Sequence, residues 1–218
     1  MKYPKHDVYE KLYEKYLDPE SLKILMDLAG DMKNKQILDL CCGTGICTKE
    51  ALVREAHHVT MVDEERDMIP AIFFYSGKTT VYDNPIKTSL ISLKKDYQYF
   101  DVAICRQGIN YWFNSEIIYL LADVIRTGGV FVFNTFNTRP SETPKIKQYH
   151  HKNVSFTEIS YVDPTNMVHH VQIREGMAPH VARFQWIAPE SFDLFLGGHF
   201  NIEKMTRNRT DYYKCVRK

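Results

Sequence analysis

The sequence predicts an open, mainly parallel α/β sheet carrying an antiparallel β insertion. Three observations predict it. From residue 31 to 136, short apolar runs alternate with helical patterns, the signature of stacked βαβ units. The first apolar run ends in Gly43-Thr44-Gly45, at the strand edge where such folds bind ligands. After Phe136 the rhythm changes to strand-like runs separated by turn signals.

Taken in order, residues 7–30 read as helix, because Val8, Leu12, Leu17, Leu22, Ile24, Leu25 and Leu28 recur near helical spacing. Pro19 marks a break or a second start, and Gly30 a C-terminal cap. Gln36–Cys42 is a first buried strand, and residues 46–56 the helix after it. His58–Asp63 is a second strand ending in a carboxylate, with a further helix opening near Glu65. The third strand is either Thr79–Tyr82 or Ile86–Leu90. Phe100–Cys105 is the fourth, followed by a helix from Ser115 to Arg126. Thr127-Gly128-Gly129 reads as a turn and Val130–Phe136 as strand five. The stretch 137–153 is polar; Val154–Tyr161, Met167–Arg174 and His180–Trp186 then form a three-stranded meander. Pro189–Leu196 closes the pattern as helix, with His199–Met205 and Asp211–Arg217 as a terminal hairpin.

The 218 residues, 44% apolar and 25% charged, fit one domain, 1–218, with an N-terminal helical lid over 1–30 and the insertion over 137–187. Lys and Arg number 28 against 27 Asp and Glu, a net charge of +1, which argues against gripping nucleic acid or anionic lipid by bulk charge. No run is long and apolar enough to span a membrane, and Met1–Asp7 has no signal core. The five cysteines, an odd count without regular spacing, do not read as a disulfide framework, and the lack of any C-x-x-C pair disfavours a cysteine zinc site. The reading is a reduced, cytoplasmic protein.

The most informative constellation is Leu38-Asp39-Leu40-Cys41-Cys42-Gly43-Thr44-Gly45, with Asp63 at the next strand end. Glycines let the backbone approach a ligand, and a strand-end carboxylate can accept both hydroxyls of a ribose. A dinucleotide site needs a third small residue for packing under a pyrophosphate; here that position is the β-branched Thr48. Asp39 would repel a pyrophosphate and attract a methionine ammonium. Both features favour S-adenosylmethionine over a dinucleotide.

ILDLCCGTG followed by VTMVDEERDMI resembles motif I and the acidic strand end of class I S-adenosylmethionine-dependent methyltransferases. FDVAICRQGINYW and TGGVFVFNTFN are similar to the fourth and fifth strands of that family. The resemblance implies a Rossmann-like sheet of seven strands in the order 3-2-1-4-5-7-6, with Asp211–Arg217 as the reversed seventh strand. It implies that Asp39, Gly43 and Gly45 hold the methionine part, Asp63 the ribose, and Glu64 borders the adenine. Arg106, at the end of strand four, joins this set. An acidic residue after strand three would meet the adenine amine; the position falls at Ser89 by counting or at Asp83 by local pattern. More narrowly, VYEKLYEKY, QGINYW and the meander resemble the small-molecule branch, which includes aminosugar and small-amine N-methyltransferases.

The expected reaction is methyl transfer to an amine or hydroxyl of a small molecule. The alternatives are an RNA or protein methyltransferase, or a non-catalytic cofactor-binding subunit. The loop after strand four lacks the prolines of DNA amino-methyltransferases, so no DNA substrate is expected. Strand ends Cys105-Arg106 and Asn134-Thr135 lack the carboxylates of metal-dependent relatives, so no metal is expected. Tyr9, Tyr13 and Tyr16 share a helix face, either packed on the sheet or, with Tyr13 foremost, lidding the cofactor. Tyr111 lines the pocket or simply packs. His169 shares a strand face with Met167, Val171 and Ile173, as a core histidine or a general base. His170, on the other face with Gln172 and Arg174, reads as solvated. An apolar outer face on the insertion would pair with a second copy in a homodimer.

Overall fold

The computed structural model describes residues 19–96, 99–151, 154–174 and 179–218. Helix α1 (Pro19–Ala29) leads into β1 (Gln36–Leu40), α2 (Ile46–Val53) and β2 (His58–Val62). Next come β3 (Thr79–Tyr82), α3 (Ile86–Lys95), β4 (Phe100–Arg106), the single turn α4 (Ile109–Trp112), α5 (Ser115–Val124) and β5 (Ile125–Phe136). The insertion holds β6 (Lys145–His151), β7 (Val154–Val162), β8 (Met167–Arg174) and β9 (His180–Gln185). Helix α6 (Pro189–Leu196), β10 (Phe200–Arg207) and β11 (Thr210–Arg217) complete the chain.

Seven strands form one sheet in the order β3-β2-β1-β4-β5-β11-β10. β1 pairs in parallel with β2 and β4, whereas β11 runs antiparallel to β5. This is the expected order, with the terminal hairpin supplying the sixth and seventh strands. Period-2 alternation sends Leu38 and Leu40 to one face and Ile37 to the other. The first face is covered by α3, α5 and α6 through Leu90, Leu121 and Phe192; the second by α1 and α2 through Leu25, Met26 and Ala51. Each such fully buried large apolar side chain contributes about 1.5–3 kcal/mol. Buried on both faces, the central strands read as continuous apolar runs, which is why they were legible.

Several local expectations are corrected. Strand three is Thr79–Tyr82, and Ile86–Lys95 is helix, its buried Ile86, Ser89, Leu90 and Leu93 falling on one face. After β2 there is no regular helix near Glu65 but two 3₁₀ turns, Arg66–Met68 and Ala71–Phe74, with Pro70 between them. Helix α5 starts at Ser115 as expected but ends at Val124, short of Arg126, and Asn114 caps it, its side chain accepting from the Ile117 amide at 2.9 Å. The Thr127–Gly129 segment belongs to β5, whose pairing with β4 shifts register between Phe100 and Val102. That bulge accommodates the extra residues that look like a turn in the sequence.

The insertion is a separate four-stranded antiparallel sheet, β6-β7-β8-β9, rather than a three-stranded meander. The extra strand β6 lies in the polar stretch, where exposed Lys145, Ile146 and Lys147 show no strong apolar alternation. Among the described residues no helix is long and apolar enough to cross a membrane.

Candidate active site

The carboxyl ends of β1, β2 and β4 converge on one edge of the sheet. β1 ends at Leu40, and Cys41 immediately turns into the left-handed region at φ 53°. Gln107, just past β4, does the same at φ 59°. Non-glycine residues in this region cost about 1–3 kcal/mol each and collect at functional sites. The two turns touch. A Cβ on Gly108 would lie 2.4 Å from the Cys41 Cβ, so only glycine permits this crossing. The Cys41 thiol donates to the Gly108 carbonyl at 3.8 Å. Cys41 and Gln107 carried no sequence signal; Gly108 directly after a strand was the available one.

Gly45 has φ 74° at the head of α2, and a Cβ there would sit 2.5 Å from the Phe73 ring. Asp63 braces this loop. Its Oδ2 accepts from the Gly43 amide at 2.8 Å and its Oδ1 from the Glu65 amide at 3.0 Å. A carboxylate has about four acceptor positions, so each oxygen keeps capacity for a ligand hydroxyl. Burial nevertheless raises the Asp63 pKa. Glu64 follows, exposed.

Asp39 is only 1% exposed beneath the loop. It accepts the Thr48 hydroxyl at 2.6 Å and the Thr48 backbone amide, tying β1 to α2. Thr48, the residue that argued against a dinucleotide, is thus also the clasp of this loop. Burial pushes the Asp39 carboxyl up to about 7, against the lowering hydrogen bonds of Thr48. Arg106, at the end of β4, is a cation with unmet donors among the described residues. Its Nε and Nη2 are buried with no hydrogen-bond partner, although its charge is felt at Asp39. Two shielded donors of a guanidinium left unmet call for an anionic oxygen pair from a ligand.

The neighbouring polar framework is partly satisfied within itself, although Asn110 Oδ1 and Trp112 Nε1 are buried without a partner. Asn134 Oδ1 accepts from the Gln107 amide at 2.9 Å, and its Nδ2 donates to the Ser21 hydroxyl at 3.3 Å, fastening α1 to the site. Asn110 donates to the Thr135 hydroxyl at 2.9 Å. Ser89 is 1% exposed within α3, its hydroxyl donating to the Asn84 carbonyl at 3.2 Å. The carboxylate at the β3 edge is instead Asp83, ion-paired with Arg66. Of the two adenine-contact positions left open by the sequence, only Asp83 stands at a strand end.

The substrate-side residues separate. Tyr13, like Tyr9 and Tyr16, lies outside the described residues. Tyr111 in α4 is half-exposed, its ring 5.2 Å from that of Phe184 on β9. It therefore joins the edge of the main sheet to the insertion. His169 stacks on Tyr161 with centroids 4.7 Å apart, and its Nε2 lies 2.9 Å from Asp163 Oδ2. That partner, with Thr165, holds Asp163 well below the usual carboxylate range. His169 thus secures the β7–β8 turn, on the sheet face opposite buried Val162, Val168 and Ala182. His170 is on the buried face, the reverse of the solvated position expected for it. Among the described residues no group of three or more His, Cys, Asp or Glu is placed to hold a metal ion.

A family model described as a methyltransferase domain matches residues 13–175. The ubiquinone biosynthesis O-methyltransferase of Shewanella pealeana is 29% identical over 123 residues, 56% of this chain and 52% of that protein. The enzyme of the same name from Rickettsia bellii is 29% identical over 108 residues, covering 49% and 44%. The chain spans about half the length of the curated relatives it matches. Among solved structures, an S-adenosylmethionine-dependent methyltransferase from Clostridium acetobutylicum superposes with a TM-score of 0.73 at 19% identity, covering 96% of each chain. CalS10, an amino pentose methyltransferase from Micromonospora echinaspora solved with S-adenosylmethionine bound, gives 0.73 at 13% identity over 100% of both chains. The sugar N-methyltransferase KedS8 of Streptoalloteichus gives 0.68 at 15% identity, covering 100% of this chain and 96% of that one.

Proposed function

Because this chain belongs to the methyltransferase-domain family, we propose that it transfers a methyl group from S-adenosylmethionine to an amine or hydroxyl of a small molecule. The observation that carries the reading is the buried, unpartnered Arg106 guanidinium beside a glycine loop braced by Asp63. One end of that cradle suits an α-amino carboxylate and the other a ribose, the two ends of this cofactor. When bound, the cofactor supplies an electrophilic methyl on a sulfonium. The chain's task is to orient both reactants and exclude water. Asp63 would accept the ribose hydroxyls, and Arg106 would take the carboxylate as a bidentate pair. The uncharged Gly43–Gly45 backbone leaves room for the methionine arm. Asp39, buried beneath, acts through its field and its hold on α2.

A small-molecule acceptor is favoured over nucleic acid by the net charge of +1. The insertion sheet, linked to the strand edge through Tyr111 and Phe184, fits a roof for a compact acceptor. The similarity is to O-methyltransferases in sequence and to sugar N-methyltransferases in fold, so either nucleophile suits this reading. Calorimetry tests it. S-adenosylhomocysteine should bind, and Asp63→Ala should weaken it by about 1–3 kcal/mol, the scale of lost hydrogen bonds to a charged group. NADH binding of comparable strength would refute the reading.

A further inference from the structure

The inner face of the insertion sheet carries a polar cluster that the cofactor reading leaves unused. Cross-strand register puts Val162, Val168 and Phe184 in one row, with Ser160, His170 and Ala182 in the next. Glu158, Gln172 and His180 form the third. Directly paired residues share a face, and burial identifies it as the inward one: Val162 is 1% exposed, Val168 3% and Gln172 8%. The first row is the one that meets Tyr111, through Phe184. His170 is one same-face step further, about 7 Å along the strand.

An inward sheet face is ordinarily apolar, so this patch requires a reason. The Glu158 side chain is 12% exposed, and its Oε2 lies 3.6 Å from His170 Nε2. Gln172 Nε2 is 3.2 Å from the same imidazole nitrogen. Burial lowers the pKa of both His170 and His180, against the raising charge of Glu158 at His170. Lys147, opposite Glu158 on β6, is exposed.

Resting on the methyltransferase reading, we propose that Glu158 and His170 form the acceptor-recognition pair of the roof, selecting a compact acceptor that presents ammonium or hydroxyl donors over an apolar aromatic one. Glu158 receives the charged or most acidic donor, and the His170 ring, within 3.2 Å of Gln172 Nε2, supplies the neighbouring hydrogen bond. The part-exposed Phe184 ring packs the acceptor's carbon skeleton toward Tyr111. A phenol with a long apolar substituent would leave Glu158 desolvated and unmatched, which is the penalty that discriminates.

The test uses the full chain saturated with S-adenosylhomocysteine, with D-glucosamine and catechol as probes in saturation-transfer NMR titrations. Glucosamine should bind more tightly than catechol. Glu158→Gln and His170→Phe should each weaken glucosamine at least tenfold and leave catechol within twofold. Arg183→Ala, on the exposed outer face, should change neither. S-adenosylhomocysteine affinity and melting temperature, measured on every variant, should stay native-like. Glucosamine binding no tighter than catechol overturns the proposal, as does an affinity that both inner-face variants leave unchanged. If one variant fails to fold, the other carries the test. Loss of S-adenosylhomocysteine binding in the native chain would instead strike the underlying methyltransferase reading.

Discussion

Arg106 and Asp39 sit a few residues from one another in space and make opposite demands. Arg106 buries two donors with nothing to accept them. If they await the carboxylate of the cofactor's methionine, Arg106→Ala should weaken S-adenosylhomocysteine by about 1.5–3 kcal/mol. 5′-Methylthioadenosine, which lacks the amino-acid end, should bind the variant as it binds the native chain. Equal weakening of both in calorimetry would make Arg106 a structural residue. Asp39 is instead fully satisfied but desolvated, and burial pushes it up to about 7, against about 3.9 in an unfolded chain. Below about pH 4 both states hold the proton. Between about 4 and 7 the unfolded chain ionises first, so stability falls as pH rises, and above about 7 the cost is constant. Asp39→Asn keeps an acceptor for Thr48 and removes the charge. Thermal melts from pH 5 to 8 should therefore show a smaller decline for the variant. Parallel declines would mean that Asp39 does not titrate there.

At the scale of elements, the β1–α2 loop is over-determined. The left-handed φ of Gly45, its contact with Phe73, and the Asp63 and Thr48 clasps all fix one path. Gly45→Ala adds a left-handed strain of about 1–2 kcal/mol and overpacking of about 1–3 kcal/mol against Phe73. The melting temperature should drop and cofactor affinity fall with it. Gly77→Ala, where a Cβ meets open space, should stay within about 0.5 kcal/mol of native. Equal behaviour of the two variants would show that the loop relaxes around Phe73. The insertion is another matter. On β8 the sequence sets Met167, Val171 and Ile173 beside His169, an apolar pattern that reads as a core face. The structure turns it outward, leaving Ile173 42% exposed, and buries Val168 and Gln172. A short strand with mixed faces does not declare its own parity; the partner strands and the domain beneath it do.

For the molecule as a whole, the sheet order puts the ends of β4 and β5 over the site, and these ends are Cys105-Arg106 and Asn134-Thr135. Neither offers the carboxylates that anchor a divalent cation. Methyl transfer by the native chain should thus survive excess EDTA, assayed by S-adenosylhomocysteine release. Loss restored by Mg²⁺ would refute this. The sequence by itself determined the parallel frame, because strands buried on both faces must be continuously apolar, and it marked the ligand edge through Gly43, Gly45 and Asp63. Those signals are local: a run, a turn and a strand-end carboxylate within 30 residues. Only the tertiary structure decided that Arg106 is stranded without a partner, that Cys41 and Gly108 cross, and that Ser89 lies inside a helix while Asp83 holds the strand edge. It alone added β6 to the insertion and turned Glu158, His170 and Gln172 inward. Each of these depends on contacts between residues far apart in the chain, and spacing along one chain carries no information about which face meets which.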